Sequence, residues 1–116
     1  MDSDKRACFA FIIGRVQNGN IHYVYDFGRG HFCLFTSSGD ASNLQVLDRQ
    51  RNSMLTGALS GVFDFGSNSY MCINMNGNSF TGFDYGSSTY FSGNISGNVI
   101  MIYDGQTSSY NTYTIM

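Results

Sequence analysis

Proline is absent from this 116-residue chain, and charge is scarce: Asp, Glu, Lys and Arg together make up 12% of it. That is roughly half the charged fraction of an ordinary soluble domain. Ser, Asn, Thr and Tyr must therefore supply the polar surface. A net charge of -2 gives no basic patch with which to hold nucleic acid or an anionic membrane, so neither partner is expected. No apolar run approaches the roughly 18 residues of a membrane helix. The longest near the amino terminus, Ala7 to Ile13, is also too short for a secretory signal and has no small-residue cleavage site after it. The expected location is cytoplasmic, although the composition does not contradict export of a chain trimmed of its leader. Cys8, Cys33 and Cys72 cannot all pair within one chain, and none lies in a C-x-x-C spacing. They read as buried thiols of a reducing compartment. No glycine-rich segment leads from a strand into a helix, so the 14 glycines are turn formers and no nucleotide cofactor is implied.

What is present is a repeat. Aromatic residues make up 16% of the chain, and they recur in register with aspartate. Tyr25-Asp26-Phe27-Gly28…Phe32, Phe63-Asp64-Phe65-Gly66…Tyr70, Phe83-Asp84-Tyr85-Gly86…Tyr90 and Tyr103-Asp104-Gly105…Tyr110 each place one aromatic before Asp and another six residues after it. A weaker copy, Leu47-Asp48…Met54, fills the gap with apolar residues in the aromatic positions. Its continuation, Leu55-Thr56-Gly57-Ala58-Leu59-Ser60-Gly61, parallels Phe91-Ser92-Gly93-Asn94-Ile95-Ser96-Gly97. Internal repetition at this period points to one hairpin per unit.

Turn chemistry accounts for the period. Two-residue type II′ loops starting at Gly28, Gly66 and Gly86 put Tyr25 opposite Phe32, Phe63 opposite Tyr70, Phe83 opposite Tyr90 and Tyr103 opposite Tyr110. At the other end, Asn18-Gly19 and Asn76-Gly77 suit type I′ turns, with Gly39-Asp40 and Ser96-Gly97 weaker candidates. That register sets Tyr70 opposite both Phe63 and Phe83. The chain thus predicts a single all-β domain over 1–116, with 1–7 a flexible amino-terminal segment. It would be an antiparallel up-and-down meander of about ten or eleven short strands, near 8–17, 20–27, 30–37, 42–48, 53–59, 61–65, 68–75, 78–85, 88–95, 98–104 and 108–115. No helix is expected, because no apolar stripe at helical spacing survives the Gly and Asn interruptions. A meander this long must bury its apolar face by closing into a barrel or, alternatively, by stacking as a two-sheet sandwich.

Strand alternation then sorts side chains onto two faces. One carries Phe9, Phe11, Ile13, Val24, Phe35, Leu44, Val46, Leu55, Leu59, Val62, Met71, Ile73, Met75, Phe80, Phe91, Ile95, Ile100, Ile102 and Ile115, the predicted core. The other carries a belt of Tyr25, Phe32, Phe63, Tyr70, Phe83, Tyr90, Tyr103 and Tyr110, continued by Asn74, Ser79, Thr81, Ser92, Asn94, Thr112 and Thr114. Rings beside hydroxyls and amides suit a sugar, whose C–H faces stack on rings while its hydroxyls need polar partners. The simpler reading, and the favoured one for the rings themselves, is that they are cross-strand pairs that stabilise each hairpin.

Five aspartates, Asp26, Asp48, Asp64, Asp84 and Asp104, fall at one rim of the apolar face, opposite His31, Ser53, Ser69, Thr89 and Ser109. Five equal copies suit turn capping better than catalysis, which needs one asymmetric site. Asp26–His31 departs from the Asp–hydroxyl pattern, and Cys33 lies two residues further on. That makes a Cys–His–Asp constellation nameable, although one hairpin seldom gives the directions it needs. His22, His31 and Cys33 lack a fourth ligand at zinc spacing, so no metal is expected. The functional expectation is a non-enzymatic binding module for a small polar or carbohydrate ligand held on the aromatic belt. A self-assembling, dimerising β-domain is the alternative, and an enzyme using the rim aspartates or Asp26–His31 is the third reading.

Overall fold

A computed structural model describes residues 1–116 throughout. In chain order the elements are helix α1 (Ser3–Asn18) and strands β1 (Tyr23–Asp26), β2 (His31–Asp40), β3 (Asn43–Asp48), β4 (Ser53–Ala58), β5 (Gly61–Asp64), β6 (Ser69–Asn76), β7 (Ser79–Asp84), β8 (Thr89–Ser96), β9 (Val99–Asp104) and β10 (Ser109–Ile115). Every strand pairs antiparallel with its sequence neighbours, and β1 closes on β10 through Val24 opposite Ile115. The meander is therefore a closed ten-stranded barrel, and closure leaves no unpaired sheet edge.

The first predicted strand, 8–17, is wrong: α1 occupies that stretch and runs through the lumen of the barrel. Residues 1–7, expected to be flexible, instead hold Met1, Lys5, Arg6 and Ala7 in buried positions. Asp2 caps the helix by accepting from the Lys5 N–H at 2.8 Å. Gly19, with φ 85°, ends it by donating its N–H to the Arg15 carbonyl. A positive φ is open to glycine at little cost, because it has no Cβ. Asn18-Gly19 thus stops a helix; it is no hairpin turn. The helix was hidden because residues Lys5 to Gly14 are buried without interruption. A helix enclosed on all sides shows no polar stripe, and a short apolar run reads the same as a buried strand.

The core is one cluster of helix and inward-facing strand residues. Phe9 meets Phe91 with ring centroids 4.1 Å apart, and Phe11 stacks on Phe35 at 4.5 Å. Room for these rings comes from glycine on neighbouring strands. A Cβ on Gly82 would strike the Phe91 ring, and one on Gly93 would strike Phe80 and the Met101 carbonyl. Ala7 through Ile13 are fully enclosed. Burial at ~1.5–3 kcal/mol per large apolar side chain makes this helix the largest single block of the core.

The two barrel ends are built from different turns. At one end, four-residue loops follow each repeat aspartate, and the last loop residue is left-handed: φ is 69° at Gly30, 51° at Asn52, 52° at Asn68, 53° at Ser88 and 55° at Ser108. The predicted cross-strand pairs survive, Tyr25 with Phe32, Phe63 with Tyr70, Phe83 with Tyr90 and Tyr103 with Tyr110. Adding one residue to each side of a two-residue loop preserves its register. Gly66 and Gly86 are needed for space and not for φ, since a Cβ there would strike the Ser53 and Ser69 hydroxyls of the preceding hairpin. At the other end, the turn residues are Gly77-Asn78 and Gly97-Asn98, with φ 61° at each glycine. Positive φ at the first central residue alone is the type II′ pattern, so the register moves two residues from that of an Asn-Gly turn.

An even shift leaves every side chain on its predicted face. It does change neighbours: Tyr70 faces Phe63 but not Phe83, which lies opposite Cys72. Tyr70 is instead level with Tyr85, whose N–H donates to the Tyr70 carbonyl at 3.0 Å.

Removing a lumen ring and removing a surface ring should have unequal effects. Phe9→Ala is expected to cost about 3–5 kcal/mol in chemical denaturation, as for other buried aromatic truncations. Phe65→Ala, at a position 61% exposed, should cost less than about 1 kcal/mol. Equal losses would mean that α1 does not fill the barrel.

Candidate functional site

The rim aspartates form the first candidate. Asp26, Asp48, Asp64, Asp84 and Asp104 are almost wholly buried at the barrel end that receives the start of α1. Each is the last residue of its strand and accepts from backbone N–H groups of the loop that follows: Arg29, Gln50, Gly66, Gly86 and Gln106 donate to them in turn. Aspartate suits this because its short side chain reaches its own turn.

Burying five carboxylates demands cations, and they come from two places. The loops supply Arg29, 2.7 Å from Asp26, and Arg51, 2.7 Å from both Asp48 and Asp64. The helix supplies Lys5, 2.8 Å from Asp84 and 3.7 Å from Asp64, and Arg6, 2.9 Å from Asp104. The Met1 amino group lies 3.8 Å from Asp104. Where no loop arginine stands three residues after Asp, a hydroxyl does. Ser67 donates to Asp64 at 2.9 Å and Ser87 to Asp84 at 2.7 Å, and these hydroxyls pair with Ser69 and Thr89. The hydroxyl that reaches each carboxylate thus comes from the loop and not from the residue directly across the hairpin.

Burial pushes the Asp64 carboxyl up, but the hydrogen bond and charge of Arg51, with Ser67 and the Gly66 N–H, outweigh it and hold it below the usual range. A carboxylate pinned in its charged form by an ion pair holds no proton to donate near neutrality. No three His, Cys, Asp or Glu side chains converge where a metal could sit.

The Cys33–His31–Asp26 constellation is not assembled. Asp26 is engaged by Arg29, His31 is exposed at the rim, and Cys33 is buried in the lumen. Burial, partly countered by Arg29, pushes the Cys33 thiol up to about 11, and burial raises Cys8 well above its ordinary value. Neither is a nucleophile near neutral pH. Cys72 differs, being half-buried on the outer face.

The second candidate is the outer belt. Three hairpins carry the same three-ring group, in which a half-buried ring is met edge-on by two exposed ones. Tyr25 meets Phe27 and Phe32 at 4.9 and 4.8 Å; Phe63 meets Phe65 and Tyr70 at 4.8 and 4.9 Å; Phe83 meets Tyr85 and Tyr90 at 4.7 Å each. Tyr103 and Tyr110 pair at 5.1 Å without a third ring, because Gly105 stands where the others have an aromatic. All eight predicted belt residues lie on this face. The belt predicted from sequence left out Phe27, Phe65 and Tyr85, although the expected strands 20–27, 61–65 and 78–85 contain them and alternation puts each on the face of the ring two residues earlier; in the structure they are the first residues of the loops. The signal was present, since an aromatic follows Asp directly in these three repeats.

Two shallow grooves lie side by side on this belt. One, of about 590 Å³, runs along Cys72, Asn74, Thr81, Phe83, Tyr85 and Tyr90; the other, of about 470 Å³, runs along Gly61, Ser69, Tyr70 and Met71. Ser60 and Tyr85 line both. Neither groove contains a charged side chain.

No helix is long and apolar enough to cross a membrane. Comparison of the chain with protein-family models, with characterised proteins and with solved structures finds no match in any of the three.

The Asp64 carboxylate should help set the acid limit of stability. A carboxyl held below its unfolded value of ~3.9 contributes fully above that pH and loses its contribution as pH falls through the folded value. The melting temperature should therefore change little from pH 7 to 5 and fall steeply below about pH 4. Asp64→Asn should melt lower at pH 7 and show a shallower acid slope. Lys5→Met, which strands Asp84 without its cation, should cost about 3–5 kcal/mol at neutral pH by denaturant titration. Among the thiols, Cys72 alone should react with an aromatic disulfide reagent before denaturant is added.

Proposed function

We propose that this protein is a non-enzymatic carbohydrate-binding module whose ligand lies on the outer aromatic belt. The observation that carries the reading is the exposure of aromatic rings directly beside neutral polar groups. Phe65, Tyr70, Tyr85, Tyr90 and Tyr110 are between 55% and 74% exposed, and Ser60, Asn74 and Thr81 line the grooves between rings. Exposed aromatic clusters of this extent on a small domain mark an interaction surface. A mixture of ring faces and a few polar groups is the usual lining of a small-molecule site.

The rest of the molecule supports the outer face as the place of binding. The lumen is filled by α1, so it holds no ligand-sized space. The rim carboxylates are consumed by structural ion pairs, which argues against the acid–base alternative.

The test is a glycan array probed with the wild-type protein and with Tyr85→Ala and Tyr90→Ala, alongside solution mass by light scattering. The expected result is a restricted set of bound glycans, lost at least tenfold in both variants while their melting temperatures stay within a few degrees. A blank array, or binding indifferent to both substitutions, overturns the proposal. A concentration-dependent dimer that Tyr90→Ala dissociates would favour self-assembly through the belt instead.

A further inference from the structure

Resting on the carbohydrate reading, we infer that the ligand is an uncharged linear chain of glucose-type units, β-1,4-linked, laid around the barrel across β5 to β8 with consecutive units on either side of Tyr85. The two grooves adjoin and share Tyr85 and Ser60 as a common wall. At about 590 and 470 Å³, each has room for a whole sugar unit. A single pyranose would leave one of them empty.

The direction of the chain follows from the register. Tyr70 and Tyr85 are level across β6 and β7 through a backbone hydrogen bond of 3.0 Å. The ring groups of the β5–β6 and β7–β8 hairpins therefore abut and form one continuous row across the strands. Like positions on successive hairpins recur every two strand spacings, about 10 Å. A β-1,4-linked chain turns over at each unit, so like faces recur once per disaccharide, a length of the same order. On the β4 side the row stops, because Leu47, Arg49 and Met54 replace the three rings.

The class of sugar follows from the walls. The exposed rings meet the half-buried Phe63 and Phe83 edge-on, at 69–80°, and at 55–74% exposure they leave ring surface open to a ligand. Pyranoses with all substituents equatorial have apolar C–H groups on both faces and stack on such rings. The absence of charged side chains from both grooves disfavours uronic acids and amino sugars with free amines. Ser60, Asn74 and Thr81 make no side-chain hydrogen bond to another protein group, which leaves them for sugar hydroxyls.

Cys72 makes the test independent of the array. It sits in the larger groove, whereas Cys8 and Cys33 are buried in the lumen. Glucose, cellobiose and cellotetraose are titrated by calorimetry, and the rate of Cys72 alkylation by iodoacetamide is followed with each. The expected result is at least a tenfold gain in affinity from glucose to cellotetraose, with Cys72 protected by saturating cellotetraose. Tyr85→Ala should abolish the gain with chain length, and Gln45→Ala, exposed on β3 outside both grooves, should leave it intact. Glucose binding as tightly as cellotetraose overturns the two-unit site. Absence of cello-oligosaccharide binding while the array shows other glycans overturns the sugar class and leaves the carbohydrate reading standing; a blank array removes both.

Discussion

A ten-stranded barrel encloses more space than its own inward side chains can fill, and every other feature of this molecule answers that constraint. Eight strands already make an interior that side chains alone can pack. Here the surplus is taken by α1, with Phe9 and Phe11 packed on Phe91 and Phe35. Gly82 and Gly93 then give up the wall space that Phe91 and Phe80 need. Helix and barrel are thus one core, and neither has a reason to persist without the other.

The ring of aspartates belongs to the same solution. Buried ion pairs are seldom a source of net stability, because removing both charges from water costs about as much as their attraction returns. Their value here is positional. Lys5 and Arg6 reach Asp64, Asp84 and Asp104 only when the helix sits at one depth and one rotation in the lumen. At the opposite end, Arg15 donates to Ser37 and the Gly39 carbonyl, and Asn18 to the Gly97 carbonyl. An apolar helix in an apolar tube could slide; polar contacts at both ends hold it in register. Loop arginines serve the aspartates that the helix does not reach, Asp26 and Asp48.

With the interior filled, the proposed ligand has only the outer face to bind. The two grooves there hold no charged side chain, so shape, ring stacking and neutral hydrogen bonds are the means of selection that the proposal requires. The repeat supplies the belt as a by-product of stabilising each hairpin: the same cross-strand ring pairs that hold the strands together also leave one edge-on ring exposed on either side. Whether a hairpin contributes a full ring group depends on three positions: all are aromatic in three copies, Gly105 removes one ring from the fourth, and Leu47, Arg49 and Met54 replace all three in the fifth.

Much of this was legible in the amino-acid order alone, because hairpins are local. The Asp-aromatic repeat located ten strands, and alternation placed Val46, Leu55, Ile100 and the rest inside and all eight belt residues outside. Two-residue shifts in the turns at Gly77 and Gly97 did not disturb that assignment, since side chains alternate with a period of two. Local order could not settle what a short apolar run becomes when nothing polar interrupts it. Ala7 to Ile13 suits a core strand and an enclosed helix equally well, and only the volume left inside the closed barrel selects the helix. Tyr113 is absent from the core expected from sequence, although alternation puts it on the face of Ile115. Its hydroxyl is satisfied inside the lumen because Arg6, carried in on the helix, donates to it at 2.9 Å. Local spacing along the chain therefore determined the strands and their faces; the lumen's occupant, its ion pairs and the adjoining grooves arose only when distant segments met in three dimensions.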